Sequence, residues 1–183
     1  MAKPQPRPAP SPSALIVEGR LNRDAVSAAL RLCLDRLLPK AHLDLTYEVR
    51  FEEALADAGY EHPEVSVIFS GRDHELLLER NAELLQALEY IALRWIRLDP
   101  QWYDRVRFDC ADYRALRIEE LRLSARVAAD RVRETHALFR FNPMSPRERR
   151  IVHLALKEES GIRTASEGEG EERQVVVYPA DGK

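Results

Sequence analysis

Arg149 and His153 stand four residues apart in the run Ser145-Pro146-Arg147-Glu148-Arg149-Arg150-Ile151-Val152-His153. The spacing of these two side chains is the first sign of chemistry in the chain. The run opens like a helix. Ser145 suits the N-cap, Pro146 the first helical position, and Glu148 completes a Ser-x-x-Glu capping box. On a helix, Arg149 and His153 share one face, one turn apart. At 100° per residue, Ile151, Val152, Leu154 and Ala155 fall on one side, and Arg149, Arg150, His153 and Lys157 on the other. A guanidinium and an imidazole side by side in solvent form a cradle for phosphate oxygens.

The charge of the chain supports this placement. The net charge is −3, which argues against a bulk polyanion binder. The distribution is uneven. Residues 1–104 carry 12 basic and 17 acidic side chains, whereas residues 105–163 carry 14 basic and 9 acidic, a local excess of +5 around the motif. Thirteen of those 14 are Arg, whose planar donors suit phosphate and stack on bases. Arg is also the habitual base of the whole chain, 24 against 4 Lys, so the bias alone is weak evidence.

Several classes of function find no support. The five histidines lack metal-ligand spacing, and neither Cys33 nor Cys110 lies near a pair of them. Both cysteines sit in apolar patterns and read as buried thiols. No nucleophile–base set is identifiable, so no enzyme and no cofactor are expected. Gly168-Glu169-Gly170 lacks the third glycine of a dinucleotide loop and precedes a strand, so it reads as a hairpin turn. Trp95, Trp102 and Tyr103 read as packing rather than as a stacking platform. No apolar run is long enough to cross a membrane, and no secretory leader is apparent, so a cytoplasmic protein is expected.

The remaining chain must position the Arg/His helix. Residues 1–14 are rich in Pro and Ser and read as a disordered tail. Residues 22–38 read as an amphipathic helix capped by Asn22 or Asp24 and ended by Pro39. Residues 42–51 and 64–70 read as strands, Asp73–Leu78 as a helical turn and Glu79–Ala82 as a break. A long helix from Glu83 to Leu98 is expected to bury Leu84, Leu88, Ile91, Ala92 and Trp95. Residues 104–110 read as a third strand. The second unit starts with a helix from Tyr113 to Glu134, with an apolar stripe of Ile118, Leu121, Ala125, Ala128 and Val132. A strand at Ala137–Phe141, the capped helix, and strands at 161–166 and 173–178 complete it. The fold class is α+β in two small domains, 15–112 and 113–183.

The residues of the second unit resemble the R-3-H domain, named for Arg-x-x-x-His. Asn142-Pro143-Met144-Ser145-Pro146 with Glu148-Arg149-Arg150-Ile151-Val152-His153 is similar to its central motif. Thr164-x-Ser166-x-Gly168-Glu169-Gly170-x-x-Arg173 with Val175-Val176-Val177 is similar to its closing hairpin. The first unit resembles a type II KH domain (helix-strand-strand-helix-helix-strand), and the KH then R-3-H order is similar to the Jag (KhpB, SpoIIIJ-associated) family. The resemblance covers about residues 20–179. It implies helices packed on a small three-stranded sheet in the second unit. It also implies binding of single-stranded RNA, or single-stranded DNA, through Arg149, His153, Arg150, Lys157 and Arg173. Another KH-domain protein is an implied partner, and control of cell envelope growth or division an implied role. The family's further N-terminal Jag domain is expected to be absent, with the Pro-rich tail in its place.

The KH-like unit departs from its family at one place. A KH domain presents a Gly-x-x-Gly loop to the nucleic-acid backbone. Here Gly71-x-Asp73, Leu77-Leu78 and Leu85-x-Ala87-Leu88-x-Tyr90 follow the pattern, but the loop reads Glu79-Arg80-Asn81-Ala82. A carboxylate repels phosphate, and side chains at both ends hinder close approach. This unit is therefore expected to serve packing or protein contact. The rival reading for the whole chain is an adaptor that works through protein contacts, with nucleic acid incidental.

Overall fold

A computed structural model describes residues 12–52 and 63–180. The chain divides into two compact units, with the boundary between Tyr113 and Arg114. Both are mixed helix and strand, as expected.

The first unit is built around β4 (Val65–Gly71). Its Val65, Val67 and Phe69 are buried, and it lies between β3 (Leu45–Phe51) and β5 (Val106–Cys110). β3 pairs antiparallel from Leu45↔Gly71 to Phe51↔Val65. β5 pairs parallel from Val65↔Val106 to Phe69↔Cys110. A parallel pair needs a crossover, which α3 (Glu79–Trp95) supplies. Gly71 is required by geometry. Its φ is 119°, and a Cβ there would stand 2.6 Å from the Asp44 carbonyl oxygen. Asp73 then accepts the Asp44 N–H at 2.7 Å. The Gly71-x-Asp73 spacing thus closes the β3–β4 end of the sheet.

α2 (Arg23–Lys40) starts at Asn22, whose side chain accepts the Ala25 N–H, and buries Val26, Ala29, Leu30, Cys33 and Leu34. Pro39 does not end it. Proline stands inside the last turn, where it forfeits one helical hydrogen bond, and the Ala41 N–H still reaches the Leu37 carbonyl. Several short elements near the N-terminal end are not legible in the sequence. One turn of helix, α1 (Pro12–Leu15), occupies the end of the expected tail, the rest of which lies outside the described residues. A two-residue turn, Glu18-Gly19, joins β1 (Ile16–Val17) to β2 (Arg20–Leu21). Both turn residues have positive φ, the geometry of tight hairpins.

α3 is broken in its first turn. Arg80, Asn81 and Ala82 are all left-handed, with φ of 50°, 60° and 59°. Without glycine this costs about 1–2 kcal/mol per residue. The turn sets the phase of the helix. Ala82 is fully buried, so Leu85, Leu88, Ala92 and Leu93 follow it into the core. Ile91 and Trp95, expected inside, are instead 48% and 39% exposed. Trp102 and Tyr103 do pack against the core.

The second unit stacks two helices on a sheet of order β6-β8-β7. α4 (Tyr113–Thr135) buries Leu121, Ala125, Ala128, Ala129 and Val132, close to the expected stripe. β8 (Gln174–Pro179) is central, with Val175, Val176 and Val177 inaccessible to solvent. β6 (Phe139–Arg140) and β7 (Ile162–Glu167) flank it, both antiparallel. α5 (Pro146–Ala155) is the capped helix. Gly168-Glu169-Gly170 lies in the β7–β8 turn, and a Cβ on Gly168 would meet the Glu172 carbonyl at 2.6 Å.

The strained turn yields a stability prediction. Arg80→Gly removes the steric penalty at an exposed left-handed site and should raise the unfolding free energy of the first unit by about 1 kcal/mol. Trp95 and Trp102, the chain's two tryptophans, both lie in that unit. Urea unfolding followed by tryptophan fluorescence therefore reads it directly. An unchanged or lower midpoint would contradict the strain argument.

Candidate functional site

The geometry starts at Glu148. One carboxylate oxygen accepts the Ser145 N–H and hydroxyl, each at 2.9 Å, and Ser145 Oγ accepts the Glu148 N–H at 3.4 Å. This is the expected capping box. The other oxygen takes Arg117 Nε of α4 at 2.8 Å, with both side chains mostly buried. Burial works against the Arg117 charge, but the bonds to Glu148 and Glu120 outweigh it and hold its pKa above the ordinary value. One carboxylate thus caps α5 and ties it to α4.

The other end of α5 is tied to the hairpin. His153 was expected in solvent. It is half-buried, with Nδ1 2.7 Å from Thr164 Oγ1 and Nε2 2.9 Å from Ser166 Oγ. Burial first, then the neighbouring Arg149 charge, push the imidazole below the ordinary histidine range. A neutral ring has one donor and one acceptor nitrogen, and a hydroxyl can serve either. The two hydroxyls therefore satisfy the neutral ring completely. Thr164 and Ser166 stand two apart on one face of β7, a period-2 signal visible in the sequence but given no role there. Leu154, placed on the apolar side from the sequence, is 37% exposed, while Ile151 and Val152 carry the packing.

Anchored at both ends, α5 brings Arg149 to the start of β8. Arg149 Nη1 donates to the Met144 carbonyl at 3.0 Å, and the Met144 N–H donates to the Arg173 carbonyl at 3.1 Å. Burial and the positive charge of Arg173 both disfavour the Arg149 cation. Guanidinium stays protonated at neutral pH regardless, so the two positive charges repel one another. Among the described residues, Arg149, Arg150, Lys157 and Arg173 have no carboxylate partner. Arg117, Arg133 and Arg140 do, in Glu148, Glu159 and Glu167. The structure thus brings Arg149, His153 and Arg173 together. Arg150 is exposed one position further round α5, and Lys157 lies beyond its last turn, with no bond tying either to the trio.

Among the described residues no group of three or more His, Cys, Asp or Glu is placed to hold a metal. None of the described helices is long and apolar enough to cross a membrane.

A family of known proteins matches the same region. The R-3-H domain family matches residues 119–179. RNA-binding protein KhpB of Clostridium symbiosum is 32% identical over 114 residues, 62% of this chain and 51% of that protein. Its namesake in Bacillus subtilis is 34% identical over 110 residues, 59% of this chain and 53% of the relative. The Streptococcus pneumoniae protein of that name is 28% identical over 127 residues, covering 68% and 38%. The chain spans about half the length of the first two.

The buried imidazole gives a pH prediction. Its folded pKa lies below the unfolded value of about 6.5. The neutral ring therefore stabilises the fold above that value, and the stability is lost as pH falls through the folded pKa. NMR titration should find the His153 midpoint below 6.5, and Arg149→Ala should raise it. A midpoint at or above 6.5 would contradict the environment described. Glu148→Ala should destabilise the second unit by about 1–3 kcal/mol, read by amide exchange in α5, since it removes a cap and leaves Arg117 with Glu120 alone.

Proposed function

We propose, the chain being a member of the Jag/KhpB family with a C-terminal R-3-H domain, that it binds single-stranded RNA through the Arg149–Arg173 pair. The observation that carries this is that Arg149, fixed on the Met144 carbonyl, feels the positive charge of Arg173, with no carboxylate partner for either among the described residues. A phosphate diester supplies the missing charge, and two forked donors suit its oxygens. Arg150 and Lys157 add attraction that does not depend on sequence. His153 acts mainly as a positioning residue. It is neutral and its nitrogens are engaged by Thr164 and Ser166, so it holds α5 against the hairpin. Single-stranded DNA offers the same phosphate, so preference between the two rests on contacts beyond the backbone. The reading is of a cytoplasmic binding protein rather than an enzyme.

The first unit is proposed to serve in orientation or protein contact. Glu79 is exposed where the KH-like loop would meet a phosphate, and the buried Ala82 side chain closes the place of the second glycine. The outer face of α3 exposes Tyr90, Ile91 and Trp95, at 58%, 48% and 39%. Such a face favours a protein partner, with another KH-domain protein the one the family resemblance suggests.

Titration of labelled single-stranded RNA at several salt concentrations tests the assignment. Affinity should fall steeply with salt, and Arg149→Ala and Arg173→Ala should each reduce the log–log slope by about 0.7. His153→Ala should weaken binding yet leave the slope unchanged. Slopes unaffected by both arginine substitutions would reject the site.

A further inference from the structure

The second unit carries a groove that the phosphate site does not use. It lies between α4 and the outer edge of β6 and has a volume of about 310 Å3. Ser124, Val127 and Arg131 line it from the helix, and Phe139, Phe141 and Asn142 from the strand side. Phe139 and Phe141 meet edge to face, with ring centroids 5.1 Å apart. The Arg131 guanidinium sits 5.9 Å over the Phe139 ring. Val127 is 61% exposed, so the mouth is open. Among the described residues β6 pairs with β8 alone and forms one edge of the sheet.

We propose that this groove is a nucleobase subsite for the same strand whose phosphate lies at Arg149 and Arg173. The inference rests on that reading of the phosphate site. Three observations support it. The lining combines an aromatic ring, a cation and the Asn142 amide. Ring and cation are what a base face stacks on, and an amide can pair with a base edge. The volume is at the small end of the range for ligand clefts, roughly 300–1,000 Å3, which suits one planar ring and not a helix. Finally, the groove and the phosphate site lie on one continuous segment. From Asn142, at the groove wall, to Met144, whose backbone joins Arg149 to Arg173, is two residues, at most about 7 Å of chain. Phe141 and Met144 hold that segment to β8, through the Val175 and Arg173 carbonyls at 2.9 and 3.1 Å. One nucleotide can place its phosphate at the arginines and its base in the groove.

The full chain is titrated with a ten-nucleotide oligouridylate and with the same backbone lacking its bases. Wild type should prefer the strand with bases at least about tenfold. Phe139→Leu keeps apolar bulk but loses the ring, and Arg131→Gln, at an exposed position, loses the cation. Each should reduce the preference to about threefold or less, chiefly by weakening the oligouridylate. Arg149→Ala should weaken both strands alike and leave the ratio intact. A wild-type ratio near one overturns the proposal and leaves the groove to a protein segment added at the β6 edge. A ratio unmoved by both groove variants overturns it as well. If the ratio responds to the groove variants while Arg149→Ala weakens neither strand, the subsite stands and the phosphate assignment fails.

Discussion

The second unit depends on an imidazole held between two hydroxyls. Half-burial and the Arg149 charge favour the neutral form of His153, whose two ring nitrogens are met by the Thr164 and Ser166 hydroxyls. That bond pair fixes α5 against β7. The Glu148 carboxylate fixes the other end of the helix against α4. With both ends set, Arg149 reaches the Met144 carbonyl, where the charge of Arg173 acts on it. The repulsion between these two positive charges is thereby built into the fold, and a bound phosphate would relieve it. In the proposed reading, Arg-x-x-x-His is a division of labour along one helix face: the arginine presents charge to the strand, and the histidine holds the helix in place.

The first unit shows the opposite arrangement. A loop that could approach a phosphate closely only with glycine carries Glu79, Arg80, Asn81 and Ala82. The backbone still takes the left-handed turn, at a cost in strain. With Ala82 buried and Glu79 exposed, the proposed reading takes that turn as a structural corner rather than an anion site. What the unit offers outward is the apolar face of α3.

Much of this was legible in the sequence where the physical signal is local. The capping box needed only Ser145, Pro146 and Glu148 in order. The α4 stripe followed from helical spacing, and Gly168 from its turn. Signals that depend on what stands opposite were not legible. A helical wheel puts His153 on the polar face of α5 but cannot show that β7 brings two hydroxyls to that face. The phase of α3 was misjudged for a related reason. Its apolar residues nearly encircle the helix, so the buried side is chosen by the left-handed turn that sends Ala82 inward. The β1–β2 hairpin has only two residue pairs, too few to stand out from the tail before it.

The central claim is that single-stranded RNA meets this chain at the Arg149–Arg173 pair and not at the turn of the first unit. Amide chemical-shift mapping of the full chain with a short oligouridylate tests it most directly. The largest shifts should fall on Met144, Arg149, His153, Thr164, Ser166 and Arg173, with Glu79–Ala82 undisturbed. Shifts centred on Glu79–Ala82, with α5 and the β7–β8 hairpin silent, would contradict it.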